Sequence, residues 1–149
     1  IPMNVNEQVF SYAYKNGVET VLNPAPANKP SDILLQNTSW FIPNEIEFEE
    51  IYGDIFNENN LLLFAKNVDT NVVVTLGEKG CAYIENNSVK IIKADSVKAI
   101  DTTGAGDAFV GAFSFALASK LDIEECLKLA LKKATDSVTK KGTQSSYKN

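Results

Sequence analysis

Apolar residues along this chain switch between helical spacing and short continuous runs, a pattern that predicts alternating helices and strands. Val9, Phe10 and Ala13 recur at helical intervals behind Asn4 and Glu7, so a helix is expected from an Asn4 cap to Gly17. Val18–Leu22 then reads as a strand. The segment Asn23-Pro24-Ala25-Pro26-Ala27-Asn28-Lys29-Pro30 can be neither helix nor central strand, because proline lacks an N–H and fixes φ. It is a loop leaving the carboxyl end of a strand, where open α/β sheets bind ligands, or else a plain connection. Ser39–Ile42 is a second short strand, stopped by Pro43. Asn44 then starts a helix that runs to Tyr52 and ends at Gly53.

Residues 57–67, built around Leu61–Ala65, predict a further short helix. Asn71–Leu76 is nearly all apolar, as expected of a parallel strand covered on both faces. Gly77-Glu78-Lys79-Gly80 turns the chain into Cys81–Glu85, and Asn86-Asn87 turns it back into Ser88–Ile92, a hairpin. Phe109, Phe113, Ala116 and Leu117 continue at helical intervals to Lys120. Asp122 and Glu125 form a capping pair with Leu121 as a staple. The helix behind them carries Ile123, Cys126, Leu127, Ala130, Leu131, Ala134 and Val138 on one stripe. Glu124, Glu125, Lys128, Lys132 and Asp136 fall on the other face, with Glu124 placed to pair with Lys128. Gly142 ends the regular part and a polar tail follows. No repeat or linker interrupts the pattern, so a single α/β unit is expected.

Composition narrows the chemistry more than the fold. The chain has 149 residues, 44% hydrophobic and 22% charged, which suits a globular domain rather than a disordered segment or membrane span. Its net charge is −5 and its fourteen basic residues are all lysines, so a nucleic acid or an anionic membrane is not the expected partner. The absence of histidine excludes Ser-His-Asp triads and His-ligated metals. Cys81 and Cys126 lack a CxxC spacing and read as free thiols in a reducing compartment, with the cytoplasm expected. The first residues have neither a basic region nor a long apolar run, so no signal peptide is expected, and the chain does not begin with Met.

The stretch with the most chemistry is Asp101-Thr102-Thr103-Gly104-Ala105-Gly106-Asp107-Ala108-Phe109. Glycines allow a sharp turn and a close approach of ligand to backbone. The helix that begins here offers unpaired N–H groups and the positive end of its dipole, a place for an anion. Asp107 beside that anion is either a base that takes a hydroxyl proton during phosphoryl transfer or a residue that merely favours the dipole. Glu47, one turn into the helix begun by Asn44, is open to the same two readings. It can satisfy the dipole, or it can bind hydrated Mg²⁺. For Gly77 and Gly80 the turn alone is sufficient reason.

Taken in order, these motifs resemble the ribokinase-like (phosphofructokinase-B type) sugar kinases. Asp101–Phe109 is similar to the C-terminal signature of that family. Pro43–Glu47, Thr75–Gly80 and Val138–Gly142 match it in the same order, and Asn23–Ala27 is similar to its ribokinase branch. The resemblance spans almost the whole chain. It implies a ribokinase-like three-layer α/β fold with a mostly parallel sheet, of which residues 1–149 would be the C-terminal nucleotide-binding portion. It has no Gly-x₄-Gly-Lys-Ser/Thr motif and so does not resemble the P-loop kinases.

The resemblance also implies roles. Asp107 would be the base, and Gly104, Ala105 and Gly106 the anion hole for the transferring phosphoryl group. Asn44 would approach the phosphates of ATP and Glu47 would act on Mg²⁺ through water. Thr75, Leu76, Gly77, Glu78, Lys79 and Gly80 would border the nucleotide, joined by Gly106, with Leu131 near the adenine where relatives often carry a polar residue. Asp101, Thr103, Ser137, Lys140, Gly142 and Ser146 would hold an activating K⁺, largely through backbone oxygens. The implied reaction is transfer of the γ-phosphoryl group from ATP to D-ribose, with fructose or a nucleoside such as adenosine as alternative acceptors. The implied assembly of the full-length protein is a homodimer. The family's N-terminal portion, with a small β-lid and most sugar contacts, has no counterpart among these residues. A non-catalytic nucleotide-binding module is therefore the competing expectation.

Overall fold

The computed structural model describes residues 1–26, 28–97 and 100–139. In chain order its elements are α1 (Met3–Lys15), β1 (Val21–Leu22), α2 (Asp32–Gln36), β2 (Trp40–Phe41), α3 (Glu45–Tyr52), α4 (Glu58–Val68), β3 (Asn71–Thr75), β4 (Cys81–Glu85), β5 (Ser88–Ile92), α5 (Ala105–Ala118) and α6 (Ile123–Val138). The backbone groups them into two compact units where the sequence suggests one. Residues 1–75 with 82–90 form the first, and residues 76–81 with 91–149 form the second.

The first unit holds most of a five-stranded sheet in the order β1-β2-β3-β4-β5. β1 pairs parallel with β2, and β2 parallel with β3, in the register Leu22–Phe41–Val72. Val72, Val73 and Val74 are all buried. Successive strand side chains point to opposite faces, so both faces of β3 are covered, as its unbroken apolar run requires. Phe48 of α3 and Phe64 of α4 meet edge to face at 5.4 Å, and Phe41 of β2 lies 5.7 Å from Phe64. These rings tie the helices to the sheet and make the centre of the core.

Local signals set most boundaries. Asn44 and Glu47 form a complete capping box on α3, and Gly53 closes it at φ 88°. Asn57 caps α4 through the Asn60 N–H. Asn86 and Asn87 sit at φ 50° and 58°, the left-handed pair that a two-residue hairpin between β4 and β5 demands. Two expectations need correction. Asn4 does not cap α1: the helix begins two residues earlier, at Met3 behind Pro2, with no side-chain cap. Glu7 accepts a hydrogen bond from the Ser31 hydroxyl at 2.5 Å instead of closing a capping box. The first strand also shrinks to Val21–Leu22, because the backbone N–H of Thr20 and that of Ser39 are taken by each other's side chains.

In the second unit α5 and α6 pack together. Phe109, Phe113 and Ala116 from one, and Cys126, Leu127, Ala130 and Leu131 from the other, are buried. Asp122 and Glu125 form the expected capping box on α6. Lys128 and Glu124 pair at 2.5 Å on the exposed face, a contact that adds little stability there. No helix among the described residues is long and apolar enough to cross a membrane.

Neither Cys81 nor Cys126 is in a disulfide, and both are buried. Burial pushes the Cys81 thiol up from 9.0 to about 12. A raised pKa means that the folded chain keeps a proton which the unfolded chain releases first. Cys81 therefore costs nothing below pH 9.0 and lowers stability progressively as pH rises from there toward about 12. The expected result is negligible alkylation of Cys81 in the native chain near neutral pH and full alkylation in denaturant. Rapid native labelling at Cys81, located by peptide mass mapping, would contradict it.

Candidate active site

In the first unit the site residues gather at the carboxyl ends of β2 and β3. Pro43 stops β2, and the next residue, Asn44, forms a parallel bridge with Thr75 at the end of β3. The Thr75 N–H donates to the Pro43 carbonyl at 3.0 Å. Asn44 Oδ1 accepts from the Glu47 N–H, and the Asn44 N–H donates to Glu47 Oε2, both at 2.8 Å. Glu47 is 8% exposed. It is a buried carboxylate held by one of its oxygens, while Oε1 has no hydrogen-bond partner among the described residues. The capping reading of Glu47 is thus realised, and one oxygen remains for another donor. Asn23 also reaches this edge, its Nδ2 donating to the Ile42 carbonyl at 3.0 Å.

In the second unit the Asp101–Asp107 stretch turns sharply into a helix. Gly104 takes the cap position of α5 at φ 81°, a left-handed conformation that glycine adopts freely. No side chain caps this helix end. The Ala105 N–H donates to the Thr102 carbonyl at 3.3 Å, and a Cβ at Gly106 would meet nothing within 4 Å, so a ligand could approach the backbone closely there. Asp107 stands exposed in that first turn, with Ala108 and Phe109 buried immediately behind it. The helix is anchored by its apolar face while its carboxylate stays open to solvent.

Behind this turn the loop is pinned. The Asp101 carboxylate accepts the Thr103 N–H at 2.9 Å. The N–H groups of Ile100 and Asp101 both donate to the Val138 carbonyl, at 2.7 and 3.2 Å. Asp101 and Thr103 are thereby brought to the end of α6, where buried Ser137 donates to the Ala134 carbonyl at 2.7 Å. Lys140, Gly142 and Ser146, the other residues expected around K⁺, lie outside the described residues, as does Ala27. Leu131 is buried on α6.

Residues 76–80 form a closed turn within the second unit. The Leu76 N–H donates to the Gly80 carbonyl at 2.8 Å around a single 3₁₀ turn, Gly77–Lys79. Glu78 and Lys79 are exposed on it and Leu76 is buried beneath. Among the described residues no group of three or more acidic or thiol side chains is placed to hold a metal ion.

Residues 1–149 match the pfkB family of carbohydrate kinases, and the chain belongs to that family. It is 41% identical over 151 residues to the ribokinase of Haemophilus influenzae, covering 97% of this chain and 49% of that protein. It is 39% identical over 144 residues to a deoxyribokinase of Salmonella typhi, covering 93% of this chain and 47% of that one. The fold superposes on the Arabidopsis thaliana ribokinase, solved with ribose and ATP, with a TM-score of 0.89 at 28% identity, over 98% of this chain and 49% of that chain. The mixed α/β architecture and its mostly parallel sheet are those of the ribokinase structures. The chain spans about half the length of the curated relatives it matches.

Proposed function

We propose that this chain is the nucleotide-binding and catalytic-base portion of an ATP-dependent sugar kinase, with D-ribose as acceptor. The observation that carries the reading is the start of α5, a helix N-terminus with no side-chain cap, opened by Gly104 and with Asp107 in its first turn. Asp107 takes the proton of the sugar's primary hydroxyl as the oxygen attacks the γ-phosphorus. The bond to the β–γ bridging oxygen breaks and ADP leaves. The N–H groups of Gly104, Ala105 and Gly106 meet the charge that grows on the phosphoryl oxygens, that of Ala105 by turning from the Thr102 carbonyl. Mg²⁺, which arrives with ATP, neutralises phosphate charge. Glu47 suits it, because its one unoccupied oxygen can accept from a water of a hydrated Mg²⁺. Asn44, Thr75 and the turn from Leu76 to Gly80 border the nucleotide, with Leu131 near its base.

Ribose is preferred because Asn23–Ala27 is similar to the ribokinase branch. A ribokinase and a deoxyribokinase are matched at nearly equal identity, so deoxyribose is the sharpest competitor. The two buried thiols, neither in a disulfide, suit a reducing compartment such as the cytoplasm. The assay uses this chain fused behind the N-terminal half of the Haemophilus influenzae ribokinase, with ribose, deoxyribose, fructose and adenosine offered in turn. Highest kcat/KM for ribose supports the assignment, and preference for another acceptor replaces it.

The same reading includes a K⁺ held between Asp101 and the end of α6. The two are already joined through the Val138 carbonyl, so a cation there would stiffen the loop that carries the anion hole. The fusion is expected to turn over several-fold faster in K⁺ than in a bulky organic cation at matched ionic strength, since screening alone alters nucleotide binding. Equal rates in the two salts would remove the site.

A further inference from the structure

Asn23 has a part in this site that the Asn-Pro-Ala-Pro segment, read as a connecting loop, conceals. β1 and β2 run parallel with Val21 opposite Trp40 and Leu22 opposite Phe41. Two rungs from β2 reach β1: the Trp40 N–H to the Thr20 carbonyl at 2.9 Å, and the Ile42 N–H to the Leu22 carbonyl at 2.8 Å. Rungs in a parallel ladder are evenly spaced, with donors on one strand two residues apart. The next rung, from β1 back to the Ile42 carbonyl, therefore belongs to residue 24. That residue is Pro24, which has no N–H to give.

The Asn23 side chain supplies the missing rung. Its Nδ2 donates to the Ile42 carbonyl at 3.0 Å while its Oδ1 accepts the Ala25 N–H at 3.1 Å. Ile42 is 0% exposed, so a carbonyl left unpaired there would be costly. The next groups along the chain are held as well, the Pro43 carbonyl by the Thr75 N–H and the Asn44 N–H by Glu47. Three consecutive residues are thus clamped by β1, β3 and α3 in turn. They are the residues that aim Asn44 and Glu47.

We infer that Asn23 is a positioning residue for the Asn44–Glu47 pair, standing in for the main-chain rung that Pro24 cannot make. The catalytic consequence rests on the proposed nucleotide role of that pair. Asparagine is required because the position needs a donor and an acceptor at once. An aspartate would keep the bond from Ala25 but set an oxygen against the Ile42 carbonyl.

Two variants test this, Asn23→Asp and the double variant Asn23→Ala/Pro24→Ala, which returns an N–H to residue 24. In the 149-residue chain, Asn23→Asp should speed amide exchange at Asn44 and Thr75 about fivefold relative to Val73, the ratio set by one net hydrogen bond. The double variant should return both amides toward the native rate, which loss of general packing could not do. In the fusion, Asn23→Asp should raise the Mg²⁺ needed for half-maximal rate about fivefold at unchanged KM for ribose, and the double variant should reverse it. Unchanged exchange at Asn44 and Thr75 in Asn23→Asp, or no recovery in the double variant, overturns the inference. Glu47→Gln separates the two readings. If it leaves the Mg²⁺ dependence unaltered while the Asn23 variants still change amide exchange, the Mg²⁺ role of Glu47 fails and the positioning stands.

Discussion

Asp107→Asn in the fused enzyme is expected to lower kcat about a hundredfold or more while leaving KM for ATP unchanged or slightly lower. The amide is isosteric with the carboxylate but cannot take a proton. Removing a negative charge from the first turn of α5 also relieves repulsion toward the phosphates, so binding should not suffer. The loss corresponds to about 2.7 kcal/mol of barrier. Asp107 is exposed, and buried Ala108 and Phe109 anchor this turn without it. The cost to folding should therefore be limited to the helix-dipole interaction, about 0.3–1 kcal/mol. A variant that folds, binds ATP and turns over normally would leave Asp107 with the dipole role alone.

The second large effect falls on stability. Gly80 lies at φ 107° and ψ −130° between the 3₁₀ turn and β4. A Cβ there would collide with the Ile92 carbonyl oxygen and lie 2.8 Å from the Ala94 nitrogen. Both neighbours are backbone and cannot swing aside as a side chain would. Gly80→Ala thus combines a backbone conformation costing about 1–3 kcal/mol with an overlap costing about as much again. Gly77→Ala is the control, since Gly77 has φ 59° and a Cβ there would meet nothing within 4 Å. Its cost should stay near the 1–2 kcal/mol of a single left-handed residue. Urea unfolding of the two variants should separate them clearly. Equal, small losses would mean that the approach of Ile92 to Gly80 is not as close as described.

Much of this architecture is legible in the sequence because its signals are local. Asn44 with Glu47, Asn57, and Asp122 with Glu125 announce helix starts, and Asn86-Asn87 announces a hairpin, each through side-chain chemistry within a few residues. The α5 start is legible for the same reason, since Gly104 and Gly106 bracket a turn and the acid follows it. What escapes is set by partners far along the chain. Asn4 has the composition of a cap, but α1 begins behind Pro2, and Glu7 serves Ser31, twenty-four residues away. The role of Asn23 depends on which carbonyl of β2 lies opposite Pro24, and that is a matter of register. The separation of residues 76–81 from the strand before them leaves no mark in composition at all.

On the proposed function, these residues supply the nucleotide and base half of a sugar kinase and do not by themselves position the acceptor. Positioning is most of what a phosphoryl-transfer enzyme provides. The most direct test is ribose-dependent ADP release, measured for the purified 149-residue chain alone and for the same chain fused behind the relative's N-terminal half. At most weak ATP binding and no ribose-dependent release are expected from the chain alone, with release appearing in the fusion and lost again in Asp107→Asn. Robust ribose phosphorylation by the isolated chain, or a fusion whose turnover ignores Asp107, would contradict the proposed function.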